Sequence, residues 1–184
     1  MVFCEKVRSS RAGPSGTIRR DVAGSPSGPK LVSTRRLSET PAFPFSRPVF
    51  PARKTVYNLV ACSNNFEDEF ARFLQAARDV QAFAKLPSQF GFTIEYTDSK
   101  TSLRYYEPDF VAVLDHGGHR LIETKGREDP DVAHKDRAAG LWCENATLLT
   151  GQDWQYLKVP QAGFEKLQPD SFSDLVPFMQ PRNS

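Results

Sequence analysis

Pro108-Asp109 and Glu123-Thr124-Lys125, with 13 residues between the two acids, are the residues best placed to do chemistry. Between them runs Phe110 to Asp115, mostly apolar, then His116-Gly117-Gly118-His119, then Arg120 to Lys125. The central Gly-Gly is a hairpin signal, so the two segments read as antiparallel strands. Residues two apart on a strand share a face, which puts Glu123 and Lys125 on one side. A hairpin register can then bring Asp109 beside them. Two carboxylates on adjacent strands are hard oxygen ligands of the kind Mg²⁺ prefers, with Mn²⁺ able to substitute. Such a metal polarises a phosphate and lowers the pKa of its water. A lysine one pleat beyond Glu123 could orient that water or neutralise charge developing on the phosphate. Together these parts can hydrolyse a phosphodiester. The competing reading is plain: Asp109 as a strand-start residue, Glu123 and Lys125 as a solvent-facing pair.

A further acid stands upstream. Ser63-Asn64-Asn65 offers a helix N-cap, and Glu67 follows Asn64 by three, as in a capping box. From residue 66 to about 86, Phe66, Phe70, Phe73, Leu74, Ala77, Val80, Phe83 and Ala84 recur at helical spacing, predicting one long amphipathic helix stopped by Pro87. Glu67 flanks its apolar stripe and can reach the sheet end that carries Asp109. Its simpler role is the acid of the capping box, and both roles can hold.

These side chains need a scaffold of strands and helices. Residues 56–60, 92–96, 103–106, 110–115, 120–125, 146–150 and 154–159 read as strands, and 131–145, 161–167 and 172–179 as helices. The order predicts an α/β domain over residues 55–184, with one mixed β-sheet flanked by helices. Residues 1–54 contain seven of the 14 prolines with many Ser and Gly, and read as a disordered tail or linker with little regular structure. That tail holds 11 basic and 3 acidic residues, the remainder 13 and 19, so a basic arm adjoins a mildly acidic domain. Arg19-Arg20 and Arg35-Arg36 could grip phosphates without sequence preference. No apolar run is long enough for a membrane span, and the first residues lack the apolar core of a secretory signal. Three widely spaced cysteines, Cys4, Cys62 and Cys143, support neither a disulfide framework nor a zinc ribbon, and point to a reducing cytoplasm.

The flanks make the pattern specific. The run Tyr106-Glu107-Pro108-Asp109-Phe110-Val111-Ala112-Val113, with Leu121-Ile122-Glu123-Thr124-Lys125-Gly126, resembles the C-terminal endonuclease region of the restriction (Res) subunit of type III restriction enzymes, within the PD-(D/E)xK nuclease superfamily. Phe66-Glu67, the stretch from Val80 to Lys85, Phe92-Thr93-Ile94-Glu95-Tyr96, Ala138-Ala139-Gly140-Leu141-Trp142-Cys143 and Trp154-Gln155-Tyr156 fit the same pattern in order, over roughly residues 55–160. The resemblance implies a restriction-endonuclease-like fold and Mg²⁺-dependent cleavage of double-stranded DNA. It also implies a helicase/ATPase region and a methyltransferase (Mod) subunit as partners. Asp109 and Glu123 would bind the metal, Lys125 would be catalytic and Glu67 would be the upstream acid of the metal site. The chain departs from the pattern in having no G-x-x-x-x-G-K-[ST] phosphate loop, so ATP-driven translocation does not belong to it.

Arg104, Arg127 and Lys135 are the candidates for DNA-backbone contact on the rim of the site. The His116/His119 pair is more naturally a pair of turn histidines than a metal site, and Trp142 and Trp154 read as core. The rival to a nuclease is a non-catalytic DNA-binding or docking module of a helicase or restriction complex.

Overall fold

The computed structural model describes residues 2–4, 15–19, 29–126 and 132–178. In chain order the elements are β1 (Val2–Cys4), β2 (Ser15–Arg19), β3 (Lys30–Arg35), β4 (Phe43–Phe45), β5 (Val49–Phe50), β6 (Val60–Ala61), α1 (Asn65–Ala76), β7 (Val80–Lys85), β8 (Ile94–Thr97), β9 (Leu103–Tyr106), β10 (Phe110–Leu114), β11 (His119–Lys125), α2 (Val132–Thr150), β12 (Trp154–Pro160) and α3 (Gln161–Leu167), followed by a 3-10 segment at Phe172–Phe178. This is a mixed α/β fold with the sheet flanked by helices, as the sequence predicts.

The centre is a four-stranded sheet in the order β12-β11-β10-β7. Strand β10 is antiparallel to both β11 and β7, while β11 and β12 run parallel. Parallel strands cannot be joined by a tight turn, and the connection between β11 and β12 is α2. The β10–β11 turn falls where the Gly-Gly pair predicts it. Gly117 has φ +86°, a conformation that favours glycine, and donates its N–H to Leu114 O at 2.9 Å.

Alternation along the strands feeds two cores. Phe83, Phe110, Ala112, Leu114, Ile122, Leu157 and Val159 pack with Phe66, Phe70, Ala71 and Leu74 of α1 and with Phe164 of α3. On the other face Ala84, Leu121 and Tyr156 meet Ala139, Trp142, Cys143 and Ala146 of α2, and Phe92, Ile94 and Tyr106 of the β8–β9 hairpin. Both tryptophans belong to this second cluster, with their rings edge to face at 5.2 Å. A sheet covered on both faces explains why its strands are apolar runs rather than strict alternations.

The strand expected over residues 56–60 is present only at its last residue, as β6 (Val60–Ala61), and three further expectations need correction. The long helix predicted over residues 66–86 is a helix only to Ala76, and Val80–Lys85 is strand β7. Val80, Phe83 and Ala84 fit helical spacing from Phe66, but they are buried by pairing β7 with β10, and tertiary context overrides the local period. Asp79, in the turn between the two, accepts hydrogen bonds from the backbone of Phe172 and Ser173 and from the Ser173 hydroxyl. It thereby pins the chain's last described segment to the point where the helix stops.

The strand predicted over residues 146–150 is the last turn and more of α2. Gly151, at φ +69°, is the glycine that ends it, with its N–H bonded to Thr147 O at 2.9 Å. Finally, the linker reading of residues 1–54 does not extend to the described stretch from 34 to 54. Leu37, Phe43 and Phe50 are buried in the two cores, and β5 pairs with β6. Arg35 donates to Phe90 O at 2.6 Å, so this part of the basic arm is laid on the domain. Arg20 lies outside the described residues, as do residues 5–14 and 21–28 of the predicted tail. Among the described residues no helix is long and apolar enough to cross a membrane.

Candidate active site

Asp109 stands just before β10, one residue beyond the register pair Phe110↔Ile122, and its charge is near enough to act on Glu123. Its backbone is held on both sides: its N–H donates to Ile122 O at 3.1 Å, and its carbonyl accepts from Leu86 N at 2.8 Å. Pro108, fully buried, fixes the approach of the chain because its φ is locked. The Asp109 carboxylate is equally constrained. Its Oδ2 accepts from Thr124 N (2.8 Å) and Thr124 Oγ1 (2.6 Å), and its Oδ1 accepts from Lys85 Nζ at 2.9 Å.

Glu123 differs from Asp109 in how its oxygens are satisfied. Its Oε2 is buried and has no hydrogen-bond partner, an arrangement that is costly for a carboxylate. Burial, and then the nearby Asp109 charge, push its carboxyl up to about 8, against the opposing pull of Lys125, Lys85 and Lys135. Glu123 therefore keeps its proton at neutral pH. Lys125, two residues on and half-buried, shares its face at the end of β11.

Glu67 is buried at the third position of α1. Asn64 caps the helix by accepting from Glu67 N at 2.9 Å. The Glu67 carboxylate returns the contact in modified form. It accepts from the Asn64 side-chain amide (2.9 Å) and from the backbone N–H of Ser63 rather than Asn64 (2.7 Å). It also reaches the sheet, with Oε2 lying 3.4 Å from Lys85 Nζ. Glu67 therefore braces the start of α1 and lies beside Lys85 at the sheet end.

Lys85 is the residue that sequence reasoning missed. Reading Val80–Lys85 as a helix end removed it from the sheet, whereas its place at the end of β7, opposite Phe110, puts its ammonium between Glu67 and Asp109. Burial pulls the lysine's pKa down, but the Asp109 and Glu67 charges outweigh it, and the net direction is up. A groove of about 320 Å³ opens over this cluster, lined among others by Phe43, Phe45, Glu67, Lys85, Pro87 and Asp109. The segment read as linker therefore supplies one wall of the site. Tyr106 was also missed. Its hydroxyl is buried without a partner, and burial, followed by the Glu123 charge, pushes it well up.

The structure does not gather Glu67, Asp109 and Glu123 into one three-acid group. Among the described residues no three His, Cys, Asp or Glu side chains are set to hold a metal ion. Lys85 occupies the space between Glu67 and Asp109. Asp109 and Glu123 remain as a two-carboxylate pair with one unpartnered oxygen. That donor set fits Mg²⁺, which is commonly bound through one or two carboxylates with water and substrate phosphate completing the shell.

The rim candidates divide. Lys135 lies 5.9 Å over the Tyr96 ring and close enough to favour the ionised form of Glu123. Arg104 is ion-paired to Asp98 at 3.0 Å on the β8–β9 hairpin. Arg127 lies outside the described residues. The histidines are not a metal pair: His116 Nδ1 accepts from Gly118 N, and His119 packs on Trp154 at 4.8 Å.

The Glu123 carboxyl carries a pH prediction. A carboxyl raised on folding holds its proton more tightly in the folded than in the unfolded chain, so stability falls as pH climbs from 4.5 towards about 8. Glu123→Gln removes that loss. Thermal melts at pH about 4.5 are expected to superimpose for the two proteins. At pH about 8.5 the variant should be more stable by a few kcal/mol, because each tenfold change in proton affinity is worth about 1.4 kcal/mol. Equal melting temperatures at both pH values would contradict a buried, protonated Glu123.

A mixed sheet between helical layers, with Asp at the mouth of one hairpin strand and Glu-x-Lys at the end of the other, is the architecture of a restriction-endonuclease-like domain. The family model described as "Endonuclease domain" matches residues 53–161, more than half of the chain, and the chain belongs to that family. No curated protein and no solved structure shows a match to it.

Proposed function

We propose that this domain is a Mg²⁺-dependent endonuclease that hydrolyses phosphodiester bonds of double-stranded DNA, with Mn²⁺ able to replace Mg²⁺. The observation that carries the reading is the neighbouring acids Asp109 and Glu123 at one end of the hairpin, the second with a buried oxygen lacking any partner, and with Lys125 two residues further along β11. When bound between them, the ion supplies Lewis acidity at the scissile phosphate and a water of lowered pKa. The chain's own residues do the rest. Thr124 and Lys85 fix the Asp109 carboxylate in one orientation, so little reorganisation is left for the moment of reaction. Glu123 would be the second ligand, and would have to release its proton to serve as one. Lys125 faces the developing charge on the phosphate, and Glu67 supplements the site from α1 through Lys85. Lys135, with Arg104 and Arg127, would meet the DNA backbone.

By its resemblance to type III Res subunits, the domain would work in restriction, in the cytoplasm, alongside a helicase/ATPase region and a methyltransferase subunit. The buried, unpaired thiols Cys62 and Cys143 suit a reducing compartment. A second reading draws on Leu103 and Tyr105, both more than half exposed on β9. These fit a docking module that presents an apolar strand to a neighbouring domain. Lys125→Ala separates the two. As a catalytic lysine its loss should slow cleavage about 10²–10³-fold, the scale of losing one transition-state charge partner, with metal binding and circular dichroism unchanged. Unaltered cleavage would remove Lys125 from the mechanism.

A further inference from the structure

Lys85 is a buried cation that the proposed mechanism uses only as a support, yet its position restricts what else the site can hold. Its side chain is 11% exposed, against 7% for Glu67 and 16% for Asp109. Its Nζ lies 2.9 Å from Asp109 Oδ1, 3.4 Å from Glu67 Oε2 and 5.3 Å from the centre of the Phe110 ring. Neither acid can turn away from it. Glu67 is held by Ser63 N and Asn64 Nδ2, and Asp109 by both donors of Thr124.

In phosphodiester-cleaving sites that use two metals, the ions lie about 3.5–4 Å apart and share ligands. Here a shared Asp109 would need one ion on the Glu123 side and one on the Glu67 side. The Glu67 side is filled by the ammonium. To admit an ion there, Lys85 would have to leave two carboxylates for surroundings that include the Phe110 ring, and a buried charge without its partners is strongly disfavoured.

We infer that the site holds a single divalent ion, between Asp109 and Glu123, because the Lys85 ammonium occupies the place of a second. This rests on the metal-dependent reading above. Lys85 is then a positioning residue. It holds Asp109 for the one ion and supplies a fixed positive charge where a two-metal enzyme would bring a mobile one. The chain would acquire a second cation site only on losing this side chain, when Glu67 and Asp109 would become a free pair of acids.

The test is the count of ions bound by the full chain, by titration calorimetry with Mg²⁺ and by the spin signal of Mn²⁺, without DNA. Wild type is expected to bind one ion. Lys85→Met, close in shape and uncharged, is expected to bind two, and adding Glu67→Gln to it should restore one. Lys85→Arg keeps the charge and should stay at one. Two ions on the wild type would overturn the inference while leaving the metal reading intact, and so would a count of one on a folded Lys85→Met. No ion on the wild type would overturn both. The wild-type count decides the matter even if Lys85→Met fails to fold.

Discussion

Asp109→Ala is expected to reduce DNA cleavage by at least about 10³-fold, because the metal's stabilisation of the transition state is worth several kcal/mol and each 1.36 kcal/mol is a factor of ten. The size of the effect follows from how many contacts meet at one carboxylate. Its charge acts on Glu123, and it accepts two hydrogen bonds from Thr124 and pairs with Lys85. Removing it takes away the proposed metal ligand and leaves Lys85 with Glu67 as its acidic partner. Asp109→Asn serves as the control, since it keeps the shape while losing the charge. Single-turnover rates on duplex DNA, with circular dichroism to confirm folding, measure the loss. A decrease under tenfold in both variants would take Asp109 out of the reaction.

The largest effect on stability is expected from Phe70→Ala. Phe70 is fully buried, and its ring meets those of Phe66, Phe73, Phe110 and Phe164 at centroid distances of 5.5 to 6.4 Å. Truncating a buried phenylalanine costs about 3–5 kcal/mol, against a total of about 5–15 kcal/mol for a folded domain. The consequence reaches the site. Phe110 is the next residue after Asp109, and its ring lies under the Lys85 ammonium, so a cavity at Phe70 loosens the support of both. Urea unfolding should show the midpoint fall with the slope unchanged. A cost below about 1 kcal/mol would contradict the place given to Phe70 at the centre of the core.

The parts of the site that were legible in the sequence are those set by local rules. Gly117-Gly118 marks the hairpin, strand alternation puts Glu123 and Lys125 on one face, and the hairpin brings Asp109 to the same end as Glu123. The Asn64 cap locates Glu67. The illegible parts depend on contacts far apart in the chain. Lys85 lies on a six-residue strand whose apolar positions also satisfy a helical period, and such a run cannot be told from helix by spacing alone. What ends α1 before it is a turn whose Asp79 is bonded to the backbone near residue 172, a partner no local pattern announces. The wall from Phe43 to Phe45 was hidden for a different reason. A few apolar residues among Pro and Ser read as linker, and only the groove they help to line shows why they are there. In α2 the signal was present, since Gly151 marks the stop, but the short run Ala146 to Thr150 was read as a strand.

Nicking of supercoiled plasmid by the full chain, with Mg²⁺ or with EDTA, beside Asp109→Ala and with calorimetry on the same samples, is the decisive experiment for metal-dependent cleavage at Asp109 and Glu123. The wild type is expected to bind Mg²⁺ and nick the plasmid, with both lost in EDTA and both lost in the variant. Nicking that survives EDTA or the Asp109→Ala change, or a wild type that neither binds Mg²⁺ nor nicks, would contradict that mechanism.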